Sequence, residues 1–192
     1  SQIFRTEFGF EKDDLVLLQI GSGFKIKGVH RTLRAIASLT EDLKKRTHFI
    51  LIGQDTSSKV ARLAAKLRIS NQCTILNGRD DIPRFLASAD LMVHPAYLES
   101  AGYVLLEATI AGLPVLTTDT CGYAFHIEQA KSGLVCSSPF NQAELNSKLS
   151  KMLHTLEKEK WTENGLEYGR RADLYSMPER AVDLLEKFSA GA

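Results

Sequence analysis

Short continuous apolar runs alternate along the chain with stretches in which apolar residues return every three or four positions. The runs are Leu15–Ile20, residues 49–52, Cys73–Leu76, residues 91–93, residues 115–117 and Gly133–Cys136. Uninterrupted runs of this length predict strands buried on both faces. Between them, Val29, Leu33, Ile36 and Ala37 have helical spacing, as do Val60, Leu63, Ala64 and Leu67, then Ile82, Phe85, Leu86 and Ala89. The same holds for Val104, Leu105, Ala108 and Ala111, and for Leu145, Leu149, Met152, Leu153 and Leu156 behind a capping Asn141. Residues 122–131 and 157–171 predict further helices, and Pro178 opens a last one carrying Ala181, Leu184, Leu185 and Phe188. Strands and helices alternating throughout predict an α/β fold, a doubly wound parallel sheet of about six strands, Rossmann-like.

Residues 1–14 have weak periodicity and suit a connector, leaving residues 15–170 as the nucleotide-binding domain and 171–192 as a C-terminal helix. The suspicious loops (21–28, 53–55, 78–81, 99–102 and Cys121-Gly122) all follow strands, so they share the carboxyl edge of the sheet. Asp80 or Asp81 is placed to cap the helix after the third strand.

The turn Glu99-Ser100-Ala101-Gly102 opens the helix of Tyr103 and Val104 with small residues, so backbone can approach a ligand and free N–H groups can hold phosphate. Glu107 lies further along that helix. A carboxylate does not face phosphate usefully, so Glu107 is assigned to neighbouring hydroxyls such as those of a ribose. The glycine-rich segment with Gly21, Gly23, Lys25, Lys27 and Gly28 is not a P-loop, because Val29-His30 stand where Lys and Ser or Thr are required. Nor is it a clean G-x-G-x-x-G, since Ile26 holds the third glycine position. Arg79, read from the residues, suits a surface ion pair with Asp80 or Asp81. His94, before Pro95, is read as a hydrogen-bonded structural histidine, and His30 and His126 as helix-surface residues.

Composition narrows the classes. With 192 residues, 44% of them hydrophobic, one globular domain with a substantial core is expected. A net charge of +1 gives no electrostatic reason to bind nucleic acid or an anionic membrane. Neither a membrane-spanning run nor a signal-peptide pattern is seen, so a soluble protein is expected. Cys73, Cys121 and Cys136 lack metal-ligand spacing and are expected as reduced thiols of a cytosolic protein, the first and last in the core and Cys121 in a packing role. The absence of an Asp-x-Asp triplet argues against a bound divalent metal. A first residue Ser1 fits a piece of a longer protein.

Glu99, seven residues, Glu107-Ala108, then Gly112-Leu113-Pro114-Val115 and Gly122 resemble the signature of the family 4 retaining glycosyltransferases of the GT-B fold. His94-Pro95-Ala96-Tyr97, Leu116-Thr117-Thr118 and Cys121-Gly122-Tyr123-Ala124 are similar to members that add glucose to the lipopolysaccharide core. The resemblance covers nearly the whole chain but half of such an enzyme. It implies a donor-binding domain for UDP-glucose that acts without metal or other cofactor. Lys27 with the amides of Ala101, Gly102, Tyr103 and Val104 then faces the diphosphate, and Arg79 the nucleobase, an even alternative to its ion pair with Asp80 or Asp81. Glu99 faces the transferred hexose and Glu107 the ribose, while Ile26 replaces a usual Arg whose charge Lys25 is placed to supply. It also implies an inner-core heptose acceptor brought by a missing N-terminal domain, to which the last helix crosses back, and work at the cytoplasmic face of the inner membrane. The isolated domain is then expected to transfer almost nothing. A rival reading is an NAD-dependent oxidoreductase with Asp55 on a ribose, which leaves Glu99 and Glu107 unexplained. A non-catalytic interaction module is the third.

Overall fold

The computed structural model describes residues 2–155 and 157–172. In chain order they form α1 (Gln2–Phe8), β1 (Leu15–Ile20), α2 (Val29–Ala37), α3 (Glu41–Lys45), β2 (Thr47–Ile52), α4 (Ser58–Lys66), β3 (Cys73–Leu76) and α5 (Ile82–Leu86). There follow β4 (Leu91–His94), α6 (Tyr103–Ile110), β5 (Val115–Thr118), α7 (Ala124–Ala130), β6 (Gly133–Cys136), α8 (Gln142–His154) and α9 (Lys158–Arg171). Leu156 and the helix expected at residues 178–188 lie outside the described residues.

The six strands form one sheet in the order β3-β2-β1-β4-β5-β6. Every pairing is parallel, with Leu18 opposite Ile50 on one side and Met92 on the other. The pleat sends neighbouring side chains to opposite faces, so β1 feeds two cores. Leu17 joins Leu33, Phe49 and Leu149 beneath α2 and α8. Val16 and Leu18 join Phe85, Leu105 and Ile127 beneath α5, α6 and α7. This double burial is why the strands are apolar without alternation.

Two segments differ from the pattern-based expectation. The stretch before β1 contains α1, and Phe4 on it is fully buried, edge-on to Phe85 with ring centroids 5.2 Å apart. Its period is hard to see because a helix of seven residues, about two turns, buries, among the described residues, only Phe4 fully. Arg5 of α1 donates to Asp90 at 3.0 Å, and the same carboxylate accepts from the Val16 amide and pairs with Lys158, tying α1 and α9 to the amino edge of the sheet. The other difference is α3, five residues with Leu43 alone buried. Asn141 caps α8 as expected, accepting from the Ala143 amide at 2.8 Å. Asp81 precedes α5 without a side-chain capping bond, because Arg79 holds its carboxylate.

Candidate functional site

The strand order reverses direction between β1 and β4, which opens a crevice at their carboxyl ends where doubly wound sheets bind ligands. One wall is the loop after β1. Gly28 has φ 69°, and a Cβ there would lie 2.0 Å from the Pro95 carbonyl oxygen, so only glycine lets this loop meet the turn after β4. Gln19, buried in β1, reaches along the loop and donates to the Lys27 carbonyl at 2.7 Å, while Thr32 of α2 donates to its Oε1 at 2.8 Å. The Lys27 backbone is therefore fixed from below, and its alkyl stem lies over Gly21.

The facing wall is the turn from β4 to α6. Arg31 is buried and donates to the carbonyls of Pro95 and Ala96 at 3.0 and 3.1 Å, with its guanidinium held between the rings of Tyr97 and Phe140. Carbonyls of the turn are consumed by the next loop: the Gly122 amide donates to Glu99 at 2.8 Å and the Tyr123 amide to Ala101 at 2.7 Å. Gly102, with φ 88°, starts α6, whose first amides have no acceptor within the helix. The net result is a turn with spent acceptors and N–H groups at a helix start, which favours an anion.

Lys27 pairs with the Glu99 carboxylate across this crevice. Both side chains are largely buried, 20% and 16% exposed. The close approach of the two loops covers Glu99, although it stands in a turn of small residues. Below it lies His94, 1% exposed, with Nε2 3.6 Å from Glu99 Oε2. Neither ring nitrogen has a hydrogen-bond partner. The expected hydrogen-bonded structural histidine is thus corrected: burial, with the Lys27 charge adding to it, pushes its pKa down to about 4 and keeps the ring neutral.

The other expected residues stand further along the edge. Glu107 is exposed and lines a groove of about 400 Å³ between α5 and α6 with Ile82, Pro83, Leu86, Ile110 and Ala111. Arg79, before α5, is bonded in bidentate fashion to Asp81 at 2.7 and 2.9 Å. Lys25 does not accompany Lys27. It lines a separate groove between α2 and α4 with His30, Asp55 and Lys59, because residues two apart in this loop point to different sides. The carboxylate of Asp55 accepts from the Phe24 amide, so the group that a dinucleotide reading assigns to a ribose holds the loop instead. Cys121 is buried with Sγ 3.3 Å from the Thr117 hydroxyl, a packing position, and burial raises the Cys73 and Cys136 thiols to about 11. Cys136 is core; Cys73 is only half-buried against it.

A family model described as glycosyl transferases group 1 matches residues 1–168, most of the chain. The chain belongs to the group 1 glycosyl transferases. It is 45% identical over 185 residues to the lipopolysaccharide glucosyltransferase WaaG of Escherichia coli K12, a match that covers 96% of this chain and 50% of WaaG. The crystal structure of a WaaG, described as a glycosyltransferase involved in lipopolysaccharide biosynthesis, superposes with a TM-score of 0.91 over 95% of this chain and 50% of that one. Anabaena HepE in complex with UDP and glucose superposes with a TM-score of 0.84 at 21% identity, over 96% of this chain and 51% of that one, which shows the shared fold. The chain thus spans about half the length of these relatives. As one half of a GT-B architecture, its sheet has the Rossmann-like form that the apolar runs predict. Among the described residues no helix is long and apolar enough to cross a membrane.

Proposed function

We propose that this group 1 glycosyl transferase chain is the donor-binding half of a retaining hexosyltransferase, with UDP-glucose as donor and the inner-core heptose of lipopolysaccharide as acceptor. One observation carries the reading: a largely buried Lys27–Glu99 pair sits across the switch-point crevice beside the start of α6. Breaking a sugar–diphosphate bond gathers negative charge on the leaving group, and fixed cations and amide dipoles aimed there lower the barrier. Lys27 and the amides of Ala101, Gly102, Tyr103 and Val104 supply both. Their positions are held by Gln19, Arg31 and the loop before α7, so little reorganisation is left for the transition state. Glu99, released when the diphosphate draws Lys27 to itself, accepts from hydroxyls of the hexose. Glu107 takes the ribose, and Arg79 exchanges Asp81 for the base.

The similarity to WaaG supports the sugar and the acceptor. Acceptor contacts and closure over the crevice fall to the half of the enzyme beyond this chain, so the chain alone binds donor weakly and transfers almost nothing. No cofactor or metal takes part in this reading, and the whole enzyme works in the cytoplasm at the face of the inner membrane. The test is thermal: a ligand that binds only the folded state raises the melting temperature. UDP-glucose is expected to raise it most among UDP-, GDP- and ADP-glucose. A larger rise with either of the other two refutes the donor assignment.

A further inference from the structure

His94 stands at the crevice without a stated task. It ends β4 at the floor of the site, 1% exposed, with both ring nitrogens unpartnered and Nε2 3.6 Å from Glu99 Oε2. Its own carbonyl is engaged by the Thr117 hydroxyl at 2.9 Å, which fixes the backbone beneath the ring. A core position that only needed filling would cost less with leucine or phenylalanine, because burying a polar group without a hydrogen bond is unfavourable.

We propose that His94 is a positioning residue and the second partner of Glu99. When a donor diphosphate takes Lys27, the His94 Nε2–H closes on Glu99 Oε2 and holds that carboxylate against the hexose. The inference rests on the donor-site reading above. Glu99 cannot serve the hexose while Lys27 holds it, and a buried carboxylate suddenly without a partner would be strongly disfavoured. Closing 3.6 Å to hydrogen-bond distance needs a small rotation of either side chain. The charged groups facing the ring are Lys27 from the β1–α2 loop and Glu99 from the β4–α6 turn, and a neutral imidazole is suited to donate to the carboxylate without adding a second cation beside the diphosphate. In this arrangement Lys27 and His94 alternate on Glu99, which couples donor arrival to orientation of the sugar.

Two measurements on the 192-residue chain test it. With 15N-labelled histidine, saturation by UDP-glucose is expected to bring the His94 Nε2 proton into the hydrogen-bonded range; an unchanged signal overturns the proposal. By calorimetry, His94→Phe is expected to weaken UDP-glucose about tenfold, the loss of one hydrogen bond to a charged group, while UDP stays within about twofold. His94→Asn, whose side-chain amide can donate, is expected to recover most of the loss. Equal weakening of UDP and UDP-glucose, or none, overturns the role of His94 and leaves the donor-site reading standing. Absence of UDP-glucose binding to the unsubstituted chain overturns the donor-site reading itself, and this proposal with it. The labelling experiment needs no variant, so a substitution that fails to fold does not blunt the test.

Discussion

The two ends of the candidate donor site are built differently. At the Lys27–Glu99 end, side chains from separate elements are buried against one another, and the backbone beneath them is fixed by Gln19, Arg31 and the Gly122 amide. At the Arg79–Glu107 end the groups are exposed, and Arg79 pairs with Asp81 two residues away. Buried charges lose hydration and must have partners held in place, whereas exposed ones exchange a local pair for a ligand at little cost. In the proposed reading the first end, held rigid, meets the developing charge, and the second, exposed, meets the nucleoside.

The largest expected contrast is steric. Gly28→Ala places a Cβ on the Pro95 carbonyl in a left-handed backbone, and chemical denaturation should show a loss of about 2–4 kcal/mol together with loss of UDP binding. At the exposed end a Cβ on Gly78 would meet only the flexible Gln54 side chain, so Gly78→Ala should cost less than about 1 kcal/mol. Comparable losses at both positions would remove the distinction.

Next comes the pH dependence. His94 takes a proton near 6.5 when unfolded but only near 4 when folded, so between these values the unfolded state binds more protons and stability falls as pH is lowered. The contribution lost amounts to up to about 3 kcal/mol, since each pKa unit is about 1.4 kcal/mol. Denaturation curves at pH 6.5 and 4.5 should show it, and His94→Phe should flatten that part of the profile. An unchanged slope would mean that the floor of the crevice is wetter than its geometry indicates.

Binding differences are smaller and separate the two ends directly. Lys27→Ala should weaken UDP about 100-fold and leave uridine nearly unchanged, with the deficit shrinking as salt rises. Glu107→Ala should weaken uridine and UDP by a similar factor, about tenfold. If Lys27→Ala weakened both ligands alike, or Glu107→Ala affected only UDP, the assignment of the ends would be reversed. The smallest expected effect is none: UDP affinity by calorimetry should be the same with and without EDTA, and a tenfold loss on chelation would bring a metal into the site.

Most of the fold was legible in the chain because strands buried on both faces leave continuous apolar runs. Cys73–Leu76 and Gly133–Cys136 end where the runs end, and Asn141 marks the start of α8 by capping it. Where little is buried the signal fades, as at α1, with Phe4 in the core, and α3, with Leu43. Lys27 and Glu99 were singled out through the family resemblance that their loops carry, but the reading of Lys25 beside Lys27 could not be corrected from sequence, because side-chain direction in an irregular loop has no period.

What the sequence determined by itself was therefore local and repetitive: the alternation of strands and helices, their parallel order of burial, and the placing of glycines and acids in loops after strands. What only the tertiary structure decided was which of those loops touch. Residues 72 positions apart, Lys27 and Glu99, become an ion pair because β1 and β4 are neighbours in the sheet. The same adjacency buries His94 beneath them with its ring nitrogens unpartnered. Burial and pairing across such separations depend on the packing of the whole sheet, and no short stretch of sequence contains them.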